Sequence, residues 1–202
     1  LRKRDVHFHL WATEEEAALI KERMAAAGIT SFGAFARTVE TAPVTFGVMS
    51  DTHYYPRSLM PADGDEQGWE TFNEFCRVKG KQFPQTGGLI DAALAAMAQD
   101  VKDKGLKYVL IPGDLTKDSE TEAHKGIAAK LEQFEKDTGA QVLVINGNHD
   151  INNGNAAVYY GAEKAAAPSI DGPEFYDIYH EYGYDQALSR DSDSLSYVYA
   201  LD

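Results

Sequence analysis

The sequence has 202 residues, of which 44% are hydrophobic and 25% are charged, as in a globular protein with a buried core. No apolar run approaches the roughly 20 residues that cross a bilayer, so the sequence predicts no membrane span. The net charge of −13 argues against broad attraction to nucleic acid or anionic membranes. The single cysteine, Cys76, excludes an internal disulfide and any metal site built on two cysteines.

The charge divides the chain into two segments. Residues 1–40 contain six basic and six acidic residues, whereas residues 41–202 contain 13 and 26. The break at Thr41-Ala42-Pro43 predicts a small appendage, residues 1–40, and a larger domain, residues 41–202. The chain shows no basic region followed by an apolar stretch, so no signal peptide is recognised and a cytoplasmic location is the default expectation.

The pattern within residues 1–40 predicts a strand followed by two helices. Apolar and polar residues alternate over residues 5–10, and Thr13-Glu14-Glu15-Glu16 is a capping box before a helix that ends at Gly28. This segment resembles a ribbon-helix-helix unit, which dimerises and reads the DNA major groove. The resemblance implies DNA contacts from the outward strand residues, here Arg4, Asp5, His7 and His9. The alternative is an appendage that only packs.

From residue 44 onward the pattern predicts an α/β fold. Apolar strands are predicted at residues 44–49, 108–111 and 142–145, with helices at 87–104 and 120–136 between them. The crossover rule makes these strands parallel, and their near-continuous apolar character predicts that both faces are covered, as when helices flank a sheet. The elements expected downstream are a loop at residues 152–172, a helix at 173–182 and a strand at 195–201. The aromatic residues of segment 54–86 predict either a substrate rim or packing against the helices.

Each predicted strand ends in a polar cluster. The three clusters are Ser50-Asp51-Thr52-His53, Pro112-Gly113-Asp114-Leu115 and Asn146-Gly147-Asn148-His149-Asp150. Ligands of open α/β sheets bind at the carboxyl ends of the strands, so these side chains are expected to converge although they are far apart in sequence. Carboxylate, amide and imidazole groups suit Zn, Mn, Fe or Mg. One such cluster alone is more typical of a capped turn; three in order favour a metal site.

Three of these blocks resemble the signature motifs of the calcineurin-like metallophosphoesterases. The blocks are Asp51-Thr52-His53, Gly113-Asp114 and Gly147-Asn148-His149-Asp150. The run Gly113-Asp114-Leu115-Thr116-Lys117-Asp118, followed by a helix over Glu122 to Phe134, also resembles the bacterial branch of this superfamily. The resemblance covers residues 44–202 and implies an αββα sandwich that hydrolyses a phosphate monoester or diester through two divalent metal ions and a bridging hydroxide. It implies that Asp51 and His53 bind one metal, that Asp114 bridges, and that Asn148 binds the second.

The resemblance also implies that His149 contacts the phosphate or protonates the leaving oxygen, oriented by Asp150. Elementary chemistry agrees with these roles. Two neighbouring cations need a shared anionic ligand such as Asp114, and an imidazole beside the metal site is a suitable general acid.

The sequence also departs from the family pattern. Members carry a further His and a Gly-His-X-His block downstream, and neither follows here, so we expect an incomplete domain, truncated on its C-terminal side, that is a poor enzyme alone. His180 is expected to be structural and His124 to lie on the surface. The alternative functions are a DNA-binding unit joined to an inactive phosphoesterase domain, and a noncatalytic metal-binding scaffold. The substrate and the oligomeric state stay open.

Overall fold

The computed structural model describes residues 44–201, together with the isolated Glu22. Residues 44–201 lie within one unit of the chain, Val44–Asp202. The strand and helices predicted for residues 1–40, and the DNA contacts that depend on them, lie outside the described residues and stay predictions.

A parallel sheet of three strands positions the rest of the described fold. Strands β1 (Phe46–Val48), β2 (Tyr108–Ile111) and β3 (Gln141–Val144) lie in the order β1-β2-β3. In the register, Gly47 pairs with Val109 of β2, which pairs with Val142 of β3. The predicted α/β class and the parallel direction of the strands are therefore confirmed.

Four α-helices accompany the sheet within residues 44–201: α1 (Glu66–Lys79), α2 (Thr86–Lys104), α3 (Thr121–Thr138) and α4 (Gly172–Tyr179). Helix α4 begins with a capping box in which Asp171 accepts a hydrogen bond from Glu174 N and Glu174 accepts one from Asp171 N. It continues into a π-helical turn, His180–Tyr184. None of the helices in the described part is both long enough and apolar enough to cross a membrane.

One face of the sheet forms the main core. Every second residue of β2 and β3 is buried on that face against α2 and α3, namely Val109, Ile111, Val142 and Val144. Gly47 of β1 lets α2 approach closely, because a Cβ atom at this position would overlap the Met97 sulfur and make this flexible side chain move. The alternation along each strand thus places the helices on one side and fixes the direction of the loops that follow the strands.

The opposite face of the sheet is only partly covered. The C-terminal segment packs over β2 and β3, where the Tyr108 and Tyr199 rings lie 6.1 Å apart, and Leu143 is buried. Phe46 and Val48 of the edge strand β1 remain 43% and 55% exposed. The prediction that both faces are covered is therefore wrong for β1, because the described residues bring no element over that edge.

Segment 54–86 and the predicted loop at residues 152–172 pack together. The loop contains an antiparallel hairpin, β4 (Ala157–Tyr160) and β5 (Glu163–Ala166), which the sequence pattern did not predict. Tyr159 of β4 packs with Tyr55, Phe72 and Phe83 in a second buried cluster. Aromatic residues of segment 54–86 therefore pack in a buried core. Packing was one of the two alternatives for this segment; the other was a substrate rim. The last predicted strand is reduced to β7 (Tyr197–Val198), paired with β6 (Ser189–Arg190).

Candidate functional site

The loops after β1, β2 and β3 meet at the carboxyl edge of the sheet. His53, Asp114 and His149 each come from a different loop, and one ligand atom of each lies within 4.8 Å of the others. His53 Nε2 is 4.0 Å from Asp114 Oδ2 and 3.9 Å from Asp51 Oδ1. The His53 and His149 rings meet edge to face, with centroids 4.8 Å apart. We call His53, Asp114 and His149 the edge triad.

Backbone hydrogen bonds hold the three loops together. His53 N donates to Asp114 O at 2.9 Å, and Asp51 N donates to Gly113 O at 3.3 Å. His149 N donates to Asp114 Oδ1 at 3.1 Å, so one oxygen of this carboxylate is occupied by the third loop. The other oxygen, Oδ2, is the one near His53. The edge triad is therefore positioned by the main chain as well as by packing.

Two glycines permit the close approach of the second and third loops. A Cβ atom on Gly113 would lie 2.5 Å from Gly147 N, and one on Gly147 would lie 2.5 Å from Asp114 N and overlap the Asp114 carboxylate. No side chain fits at either position without moving backbone. This contact explains why a glycine precedes Asp114 and why another begins the Gly-Asn-His-Asp block.

The candidate ligands themselves have unusual backbone conformations. Asp51, His53 and Asp114 have φ angles of 56°, 41° and 52°, in the left-handed region that side chains other than glycine seldom adopt. Such conformations cost on the order of 1–3 kcal/mol each and persist where the surrounding structure enforces them, typically at functional sites. Here the inter-loop hydrogen bonds enforce them.

The His149 ring is oriented by two acceptors on the second loop. Its Nδ1–H donates to Lys117 O at 2.6 Å and to Asp118 Oδ1 at 3.0 Å. Because both partners accept, the proton is on Nδ1 and Nε2 is the ring nitrogen left for other contacts.

Asp150 does not orient His149 as the sequence suggested. Its buried carboxylate accepts hydrogen bonds from Thr116 N at 2.9 Å and Gly147 N at 2.8 Å. Burial raises the pKa of Asp150, and these hydrogen bonds oppose the rise. Asp150 therefore ties the second loop to the third, and Asp118 is the carboxylate beside the imidazole.

Electrostatics favour a neutral His53. Burial lowers the pKa of His53 first, and the charges of Lys81 and His149 lower it further, whereas Asp114 and Asp51 raise it. A neutral imidazole is the form that binds a metal ion. Buried side-chain nitrogen and oxygen atoms without a hydrogen-bond partner are few within residues 44–201, and His53 Nδ1 is one of them.

The donors present fit a divalent cation. Two imidazoles and a carboxylate form a nitrogen and oxygen set suited to Zn, Mn or Fe. Asp51 adds a second carboxylate whose side chain is 67% exposed. Asn148 is exposed in the turn that carries His149. The edge triad thus includes two of the four predicted metal ligands and the predicted acid, while Asp51 and Asn148 flank it.

The other two histidines among residues 44–201 lie away from the edge triad. His124 was expected on the surface but is fully buried, because it occupies the inner face of α3, where Nε2 is 2.8 Å from Asp150 O and Nδ1 is 3.0 Å from the Tyr179 hydroxyl. The His180 side chain is 40% exposed and pairs with Asp185 at 2.7 Å. Sequence reasoning missed Asp118 as the partner of His149; its only signal was its place just after the Asp114 loop.

Comparison with known proteins agrees with this geometry. The family model described as calcineurin-like phosphoesterase matches residues 44–198. The search of curated proteins gave no match for the chain.

Proposed function

The chain belongs to the calcineurin-like phosphoesterase family, and from this premise we propose that it hydrolyses a phosphate monoester or diester with two divalent metal ions as cofactors. The observation that carries the proposal is the edge triad, in which two potential ligands, His53 and Asp114, and the proposed acid, His149, meet from three strand ends within 4.8 Å. Asp51, His53, Asp114 and Asn148 would hold the ions, which are Mn, Zn, Fe or Mg. When bound, such ions polarise a phosphoryl group and lower the pKa of water.

Asp114 is the proposed shared ligand. The His149 main chain hydrogen bonds to Oδ1, while Oδ2 lies on the His53 side, so the two oxygens of this carboxylate face different neighbours. Asp51 and Asn148 are exposed, and each belongs to a loop that hydrogen bonds to the Asp114 loop. A carboxylate held at Oδ1 by the main chain, with Oδ2 left on the His53 side, is suited to a site that receives a metal ion and a phosphate ester.

His149 is the proposed proton donor to the leaving oxygen. With Nδ1–H committed to Lys117 O and Asp118 Oδ1, His149 in its doubly protonated form would present Nε2–H to the leaving oxygen. An imidazole is matched to this task near neutral pH, and general acid catalysis of this kind contributes about 10²–10⁴-fold to a rate. Asp150 would act indirectly, by holding the Thr116 and Gly147 main chain on which both loops depend.

The test is hydrolysis of p-nitrophenyl phosphate and bis-p-nitrophenyl phosphate by the full 202-residue chain supplied with Mn²⁺ or Zn²⁺. Because the domain is expected to be a poor enzyme alone, we expect slow turnover, which a chelator abolishes. Asp114→Ala should lose both turnover and Mn²⁺ binding by calorimetry, whereas His149→Ala should lose turnover and keep Mn²⁺ binding. His180→Ala is the matched control, because its imidazole is exposed and paired with Asp185. Chelator-resistant turnover, or full activity of Asp114→Ala, would contradict the proposal.

A further inference from the structure

A buried ion cluster lies directly behind the His149 ring. Five consecutive polar residues, Thr116, Lys117, Asp118, Ser119 and Glu120, are all buried. The Lys117 Nζ atom is 2.6 Å from Asp118 Oδ2 and 3.1 Å from Glu120 Oε1. Taking three charges out of water is costly, and apolar residues of similar volume are often at least as stabilising. Stability alone is therefore a weak explanation for the cluster.

Lys117 has little freedom to move. Its side chain is fully buried, and its ammonium group lies 5.3, 5.6 and 5.7 Å from the ring centroids of Tyr55, Phe75 and Phe83. Rings around the ammonium add cation–π attraction, which is larger where water is excluded. Glu120 is fixed as well, because Oε2 accepts a hydrogen bond from Asp118 N at 2.9 Å.

Asp118 connects this cluster to the candidate site. Oδ2 faces Lys117, while Oδ1 accepts from His149 Nδ1–H at 3.0 Å and from Asn153 Nδ2 at 3.2 Å. Lys117 thus holds Oδ2 of Asp118. Because the carboxylate is planar and rigid, fixing Oδ2 also fixes the direction in which Oδ1 points. Without Lys117, the Asp118 carboxylate would lose the charged partner that fixes its rotation, and Glu120 would become a nearby repelling charge.

We propose that Lys117 is a positioning residue, whose ammonium group holds the Asp118 carboxylate in the orientation that receives His149 Nδ1–H and so leaves Nε2 for the substrate. The catalytic part of this inference rests on the proposed function, in which His149 acts on the phosphate ester. The positioning part does not, because it concerns one hydrogen bond of the protein itself. Two separate readouts therefore test them.

The first readout is NMR of the full chain without added metal, following the His149 Nδ1–H resonance and its exchange with water. Lys117→Met alone leaves Glu120 buried and unpaired, which can unfold the chain, so the working variant is Lys117→Met with Glu120→Gln. In this double variant we expect the His149 Nδ1–H resonance to shift and its exchange with water to become faster. Asp118→Asn should change both quantities in the same direction. Lys130→Met is the matched control, since Lys130 also pairs with a carboxylate, Asp91, and lies near a ring. It should leave the resonance unchanged.

The second readout is kinetics. The double variant should lose about tenfold to a hundredfold in kcat, as loss of an outer partner of a site residue typically does, with KM little changed. A folded double variant with the wild-type resonance and exchange rate would overturn the inference. So would a wild-type kcat in that variant. If the resonance changes but the wild-type chain hydrolyses neither ester, the proposed function fails and the positioning of His149 stands.

Discussion

At the scale of single residues, the loops of the candidate site combine positive φ angles with glycines in close contact. Asp51, His53 and Asp114 hold left-handed backbone conformations, and Gly113 and Gly147 meet without room for a side chain. The glycines and the polar residue types are visible in the sequence. The strain and the Gly113–Gly147 contact are not, because both depend on how two loops far apart in sequence cross.

Gly147→Ala should disturb the site directly. The added Cβ atom would overlap the Asp114 carboxylate, so either the third loop or Asp114 must move. We expect a loss of about 1–3 kcal/mol in the free energy of unfolding, as overpacking typically costs, and weaker Mn²⁺ binding. Urea denaturation and calorimetry measure the two effects. Gly154→Ala is the control, because nothing lies within 4 Å of a Cβ atom at that position. Unchanged Mn²⁺ affinity in Gly147→Ala would contradict the prediction.

At the scale of secondary-structure elements, the strands and the long helices followed from apolar periodicity. β2, β3 and the two crossover helices lie close to their predicted positions because each presents one apolar face to the core. Helix α1 and the β4–β5 hairpin were not predicted. Helix α1 could have been predicted, because Trp69, Phe72 and Cys76 recur at helical spacing. The short hairpin could not, because it is stabilised by packing of Tyr159 on Phe72, about ninety positions earlier.

Shortening a side chain to alanine should lower the free energy of unfolding more on the buried face of the sheet than on the partly covered face. Ile111, at the end of β2, is 1% exposed, and Ile145, just after β3, is 41% exposed. Ile111→Ala should lower the free energy of unfolding by about 2–5 kcal/mol, as expected for a buried aliphatic side chain. Ile145→Ala should cost clearly less, because most of the removed surface is already near water. Urea denaturation of both variants measures this, and equal losses would show that the described layering is wrong.

His124 on α3 should make stability depend on pH. Burial lowers the pKa of His124 from its ordinary value of 6.5 to about 4. Between these values the unfolded state binds more protons than the folded state, so the free energy of unfolding falls as pH falls from 6.5 to 4. Once the pH has fallen from 6.5 to 4, this effect lowers the free energy of unfolding by on the order of 3 kcal/mol.

The measurement is the difference in unfolding free energy between the wild type and His124→Gln from pH 7 to pH 4. Subtraction is needed because the raised pKa of the buried Asp150 acts in the opposite direction. We expect the difference to shrink as pH falls, since glutamine takes up no proton. A difference that stays constant with pH would contradict a buried neutral His124.

At the scale of the whole molecule, the convergence of three strand ends organises both fold and site. Strand direction alone brought residues about a hundred positions apart to one edge of the sheet, and the sequence was sufficient to anticipate this. The hydrogen-bond partners of each site residue were not anticipated. Asp118, not Asp150, is the carboxylate beside the His149 ring, and this pairing depends on how the second and third loops meet.

The most direct test of the metal site is calorimetric titration of the wild-type chain and of Asp114→Ala with Mn²⁺. Asp114 supplies the only carboxylate of the edge triad, and its backbone and side chain contact both neighbouring loops. We predict saturable Mn²⁺ binding by the wild type and an affinity at least about tenfold weaker in Asp114→Ala, because a cation there would lose its anionic ligand. Equal affinities in the two proteins, or no binding by the wild type, would contradict the account.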